Sequence, residues 1–115
     1  MSDIEVIVNL ADQYAKHKWA LRRILLSATS FEGLSNGCKT QFPDAEVLVR
    51  EIDAIWFSRK NKGSETWEIR RIGSPPFALV DVVDDAVSAD ERENRLASLE
   101  FEMAIQGRHA REHKR

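Results

Sequence analysis

The sequence predicts an α+β protein with a long N-terminal helix, a short second helix, a three-stranded antiparallel β-meander and a C-terminal helix packed on the sheet. Three observations carry this. Apolar residues recur at spacings of three and four near the N-terminus. Two alternating runs flank Asn61-Lys62-Gly63. A capping box at Ser88-Ala89-Asp90-Glu91 opens a second helical stripe. The 115 residues are 43% hydrophobic and 31% charged, with three prolines and five glycines, which is the composition of one globular unit. That unit is expected over 1–107, followed by a basic flexible tail over 108–115.

Residues 2–28 read as one helix. Ser2 and Glu5 have capping-box spacing, and Ile4, Ile7, Val8, Ala11, Tyr14 and Ala15 form an apolar face that Leu21, Ile24, Leu25 and Ala28 prolong. Residues 29–42 contain two glycines and several turn formers, which predicts a loop. At 43–52, proline followed by Asp44 and Glu46 suits a first helical turn, with Ala45, Leu48, Val49 and Ile52 on one face. The β-branched content makes a strand from Glu46 the competing reading.

Residues 53–72 predict a hairpin around a three-residue loop whose Gly63 takes the left-handed position. That loop would pair Asp53 with Arg71, Ile55 with Ile69, Phe57 with Trp67 and Arg59 with Glu65, all on one face. The other face is mostly polar apart from Trp56. A covering helix is expected there, with stacking beneath Arg70 as the alternative. Phe77 to Val83 is a nearly continuous apolar run, as in a strand covered on both faces. The last helix carries Leu96, Leu99 and Met103 on one stripe, with Ala97, Phe101, Ala104 and Ile105 beside it, and Gly107 is placed to end it.

The single Cys38 allows no internal disulfide, and the acidic N-terminus has no basic region leading into an apolar run. No apolar stretch approaches the roughly 20 residues of a membrane span. A cytoplasmic protein without membrane contact is therefore expected. The formal net charge of −2 excludes a uniformly basic protein, but the charges are unevenly placed. Segment 81–93 is acidic, whereas the end from Arg108 is basic.

Two basic clusters contain or adjoin aromatics. Lys16, Lys18, Arg22 and Arg23 surround Trp19, and Arg59, Lys60 and Lys62 sit at the hairpin tip, with Trp56 and Arg70 on the same hairpin. Cations beside an accessible ring can neutralise phosphates and stack bases, so these ten residues are the candidate contacts for nucleic acid or a protein partner. Catalytic patterns are weaker. His109-x-x-Glu112-His113 has the spacing of an inverted zinc-protease motif, but only Lys114 and Arg115 follow, leaving no third ligand downstream. Pro43-Asp44 with Glu68-Ile69-Arg70 resembles the Pro-Asp and Glu-x-Lys elements of metal-dependent nucleases, with arginine replacing lysine. Asp81, Asp84 and Asp85 lack the glycine and terminal glutamate of a calcium loop. No cofactor or metal ion is expected, and no catalytic residue stands out. The sequence favours a small non-enzymatic binding, adaptor or regulatory protein that acts through protein contacts, as a homodimer whose exposed sheet edges or apolar helices pair. Nucleic-acid binding through 16–23 and 59–62 is the alternative, and a metal-dependent hydrolase or nuclease the second.

Overall fold

The computed structural model describes residues 3–73 and 75–112, with side chains as far as Gln106. The chain runs α1 (Asp3–Ala15), β1 (Ala20–Leu26), α2 (Ala28–Gln41), β2 (Glu46–Val49), β3 (Ala54–Asn61), β4 (Ser64–Arg71), β5 (Ala78–Asp84) and α3 (Ala89–Glu112). The strands form one mixed sheet in the order β2-β1-β3-β4-β5, with β1 and β2 parallel and the other pairs antiparallel. The fold is α+β, and β3-β4-β5 is the expected meander inside a larger five-stranded sheet.

Where the apolar spacing predicts one helix over 2–28, the chain instead stops at Ala15, turns, and enters β1. The turn explains why. Lys18 adopts the left-handed conformation at φ 68°, its N–H donates to the Ala15 carbonyl at 3.0 Å, and the Trp19 N–H donates to the Tyr14 carbonyl at 3.1 Å. This is a Schellman termination, completed by contact of the Trp19 and Tyr14 rings, whose centroids lie 6.0 Å apart. A lysine occupies the position that glycine normally marks.

The segment 29–42, with its loop-like composition, is helix α2. Ser27 caps it, accepting from the Ser30 N–H at 3.3 Å, and Asp53 accepts from the Ser27 N–H at 2.8 Å and from the Ser30 hydroxyl at 3.1 Å. Phe31, Leu34, Ser35 and Cys38 supply a buried or half-buried stripe with helical spacing. At 43–52 the extended alternative prevails: β2 pairs in parallel with β1, Leu25 opposite Leu48.

The hairpin exists, but its register is one residue from the expected one. The loop is two residues, Lys62-Gly63, closed by Asn61 opposite Ser64, and only Gly63 has positive φ (79°). Trp56 therefore opposes Ile69 and Phe57 opposes Glu68, instead of Phe57 opposing Trp67. The expected alignment assumes one apolar and one polar face. In the molecule, residues 54–58 of the central strand β3 are buried without interruption, because helices cover both faces.

Two cores result. On one face, α3 places Leu96 and Met103 against Leu25, Ala54, Trp56, Trp67, Ile69 and Val83. On the other, Ile7 of α1 and Cys38 of α2 pack with Ile24, Leu26, Ile55 and Phe57. Ser88 caps α3 by accepting from the Glu91 N–H at 3.1 Å. The helix continues past Gly107 to Glu112, and Phe101 of the expected apolar stripe is 67% exposed. The side chains of the basic 108–115 segment lie outside the described residues. Among the described residues no helix is long and apolar enough to cross a membrane.

Candidate functional site

Helices α1 and α2 cover the sheet from β2 to β3 but leave the β4-β5 margin of that face open. The residues there follow from the register. Glu68 and Arg70 project on the same side as Ile55 and Phe57, and the neighbouring β5 positions are Val80 opposite Glu68, Val82 opposite Thr66 and Ala78 opposite Arg70. Val80 and Val82 are 53% and 54% exposed, the only valines of β5 so open.

Where this margin meets the α1 terminus, Gln13, Tyr14, Lys16, His17, Trp19, Glu68 and Arg70 line a cleft of about 440 Å³. The Schellman turn places the α1 contribution, since it swings Trp19 back against Tyr14. Tyr14 lies flat on Phe57, with centroids 3.8 Å apart and planes 6° from parallel, and its hydroxyl donates to Glu68 Oε2. Burial, reinforced by the hydrogen bond to Glu68, pushes the Tyr14 pKa up to about 12. Tyr14 is thus a neutral donor that orients the carboxylate. The Arg70 Nε is buried without a hydrogen-bond partner, while its guanidinium faces the Tyr14 hydroxyl and draws the Tyr14 pKa down against the larger effects of burial and Glu68.

The ten candidate contacts are divided by the fold. Lys16, Trp19 and Arg70 meet at the cleft, with Lys18 exposed on the adjoining turn. Arg22 and Arg23 lie on the opposite face, because a bulge in β1 between Leu21 and Arg23 turns both toward α3. There they join Arg92 around Trp67, with guanidinium carbons 4.8, 5.7 and 5.7 Å from its ring centroid. Carboxylates compensate these arginines: Arg22 pairs with Glu65 at 3.4 Å, Arg23 with Glu93 at 2.9 Å and Glu46 at 3.2 Å, and Arg92 with Glu93 at 3.4 Å. The hydrogen bond from Arg23 holds the Glu93 carboxyl below its usual range.

Arg59, Lys60 and Lys62 are exposed at the hairpin tip, where Lys60 pairs with Asp85 at 3.4 Å. Trp56 is fully buried beneath α3 and donates from Nε1 to Glu100 at 2.9 Å. It is therefore a core residue and presents no surface to a partner. Tyr14, His17 and Glu68 belong to the cleft but were not among the sequence candidates. The alternation of Glu68 and Arg70 was visible in the sequence, whereas their proximity to Tyr14 depends on the α1-β1 turn.

The groups with catalytic patterns do not assemble. Pro43-Asp44 precedes β2, and β1 and β3 separate that strand from Glu68 and Arg70 on β4. Cys38 is buried, and burial pushes its thiol pKa up, which disfavours the thiolate. Asp81 is held bidentately by Arg95 at 2.6 and 2.9 Å, Asp84 accepts from the Ala86 N–H at 2.8 Å, and Asp85 pairs with Lys60. Among the described residues, no three His, Cys, Asp or Glu side chains converge in a way that could hold a metal ion. The His109 and His113 side chains lie outside the described residues. Comparison of the chain with protein-family models, with curated proteins and with solved structures finds no match.

Proposed function

We propose that this protein is a non-catalytic binding module that acts through protein contacts and assembles as a homodimer by pairing the free edge of β5. The observation that carries this reading is the hydrogen-bonding parity of β5. The Arg71 N–H donates to the Phe77 carbonyl at 2.8 Å, and the Asp85 N–H to the Gly63 carbonyl at 3.0 Å. In an antiparallel ladder alternate residues point their backbone groups to opposite sides, so the odd-numbered residues face β4 and Ala78, Val80, Val82 and Asp84 face outward. The Val82 carbonyl fits this parity, since it accepts from Arg95 Nη2 at 3.1 Å beyond the sheet. A pairing strand therefore has to share this oxygen with Arg95 through its second lone pair or displace Arg95 from it.

A seven-residue edge with outward N–H groups and half-exposed valines is a template for another strand. The opposite edge, β2, has only four residues. A second copy fits β5 particularly well. Antiparallel pairing about a two-fold axis through Asp81 sets Val80 of one copy opposite Val82 of the other, twice, and matches outward donors to outward acceptors. The two Asp81 carboxylates that meet at the axis are each neutralised by their own Arg95. Binding through this margin would place the cleft beside the interface.

Val82→Pro removes an outward N–H and leaves the β4 ladder intact, because proline is tolerated on an edge. Sedimentation at micromolar concentration is expected to give a dimer for the natural chain and a monomer for Val82→Pro and for Val80→Lys, with unchanged circular dichroism. A natural chain that remains monomeric, or variants that remain dimeric, would reject the pairing.

A further inference from the structure

We infer that the cleft between the α1 terminus and β4 is a binding site for a free α-amino acid with an aromatic side chain. The chemistry of such a ligand is a carboxylate, an ammonium group one carbon away, and a flat apolar ring. The cleft presents a counterpart to each. Arg70 offers a guanidinium fork, the geometry that suits a carboxylate. Glu68, two residues earlier on the same face of β4 and about 7 Å away along the strand, offers a carboxylate for the ammonium group.

Glu68 is already oriented, since the Tyr14 hydroxyl holds its Oε2. Tyr14 is itself fixed against Phe57 and, with its pKa pushed up to about 12, is neutral at physiological pH, so it supports Glu68 as a donor. Trp19, half-buried and edge-on to Tyr14, forms the wall on which a ring can stack. The volume of about 440 Å³ lies within the range of small-ligand pockets.

Charge decides between ligand classes. A phosphate dianion would meet Glu68 beside Arg70, a repulsion that a zwitterion converts into a second ion pair. An aromatic carboxylate without an ammonium group would leave Glu68 desolvated and unpaired. Arg70, half-buried where it lines the cleft, is the cation that a ligand carboxylate would pair with. Lys16 lines the solvent side of the cleft as a further positive charge.

The test uses the full chain and L-phenylalanine, with two analogues that each lack one charge: L-phenylalaninamide, without the carboxylate, and 3-phenylpropionate, without the ammonium group. Binding is followed through the tryptophan indole N–H resonances. Saturable displacement of the Trp19 signal is expected, with Trp56 and Trp67 little changed because both are buried in the opposite core. Phenylalanine should bind at least about tenfold tighter than either analogue, the discrimination characteristic of a polar group left without its partner.

The variants exchange these preferences. Arg70→Gln is expected to abolish the advantage over phenylalaninamide while keeping that over phenylpropionate, and Glu68→Gln to do the reverse. Retained circular dichroism in one variant suffices to read its half of the exchange. Absence of saturable binding overturns the inference. So does equal binding of phenylalaninamide, which would indicate a peptide N-terminus, or equal binding of phenylpropionate, which would indicate a simple organic acid. The β5 dimer is tested separately, because Val82→Pro leaves every cleft residue unchanged.

Discussion

Lys18 carries more of the architecture than its exposed position suggests. Its φ of 68° ends α1, aims β1 into the sheet and folds Trp19 onto Tyr14. A non-glycine residue in this region is strained by roughly 1–2 kcal/mol, and glycine loses part of that gain through its freer unfolded chain. Lys18→Gly is therefore expected to raise stability by about 0.5–1 kcal/mol, measured by thermal or denaturant unfolding. A loss of stability would show that the lysine side chain contributes contacts of its own.

Tyr14 provides a second measurement at the same scale, because it is the sole tyrosine. Burial and the Glu68 hydrogen bond favour its neutral form in the folded state, raising its pKa from 10.0 to about 12. The sign follows: this stabilisation is complete below the unfolded value near pH 10 and disappears as pH rises toward 12. Phenolate absorbance is expected to titrate near pH 12 in the folded protein. Glu68→Gln should lower that midpoint while leaving it above 10, since burial is the larger cause. A midpoint near 10 in the natural chain would contradict the packing of Tyr14 between Phe57 and Glu68.

At the scale of elements, α2 depends on a partner far away in sequence. Asp53, just before β3, holds both Ser27 and Ser30 at the helix start. Asp53→Ala is expected to cost about 1–2 kcal/mol, the magnitude of a lost helix cap, with unfolding midpoints as the readout. A change below a few tenths would show that water replaces the cap. This dependence also explains why α2 is hard to read from its residues. Its two glycines and several short polar residues resemble a loop, although Phe31, Leu34, Ser35 and Cys38 already recur with helical spacing.

Strand β1 misleads for a related reason. Leu21, Ile24 and Leu25 fit a helical face, but pairing with β2 and β3 overrides that periodicity, and the stop signal at Lys18 is not glycine. The hairpin was legible in position but not in register, because the second helical layer that buries Trp56 is remote in sequence. The third strand and the capped C-terminal helix were legible in position because their signals are local: a continuous apolar run, and Ser88 three residues before Glu91. The run is not covered on both faces as expected, however: β5 is an edge strand with Val80 and Val82 half-exposed. Part of the cleft was equally visible in Lys16, Trp19 and Arg70. Their convergence with Tyr14 and Glu68 was not, because it is made by the turn and by the one-residue shift of β4.

For the whole molecule, the asymmetry of cover matters most. Helix α3 packs along one face toward β5, whereas α1 and α2 stop short of β4 and β5 on the other. That leaves one margin with a strand edge that no other strand pairs, two exposed valines and a charged aromatic cleft side by side, Arg95 reaching the edge at the Val82 carbonyl. The basic residues, in contrast, are distributed over two faces and a hairpin tip, and those around Trp67 are compensated by glutamates. A continuous phosphate track does not follow from that arrangement, whereas strand pairing at β5 does. Its most direct measurement is amide hydrogen exchange at Val80 and Val82 as a function of protein concentration. Pairing requires both N–H groups to be protected at high concentration and to lose protection together on dilution. Fast exchange at every concentration would contradict it.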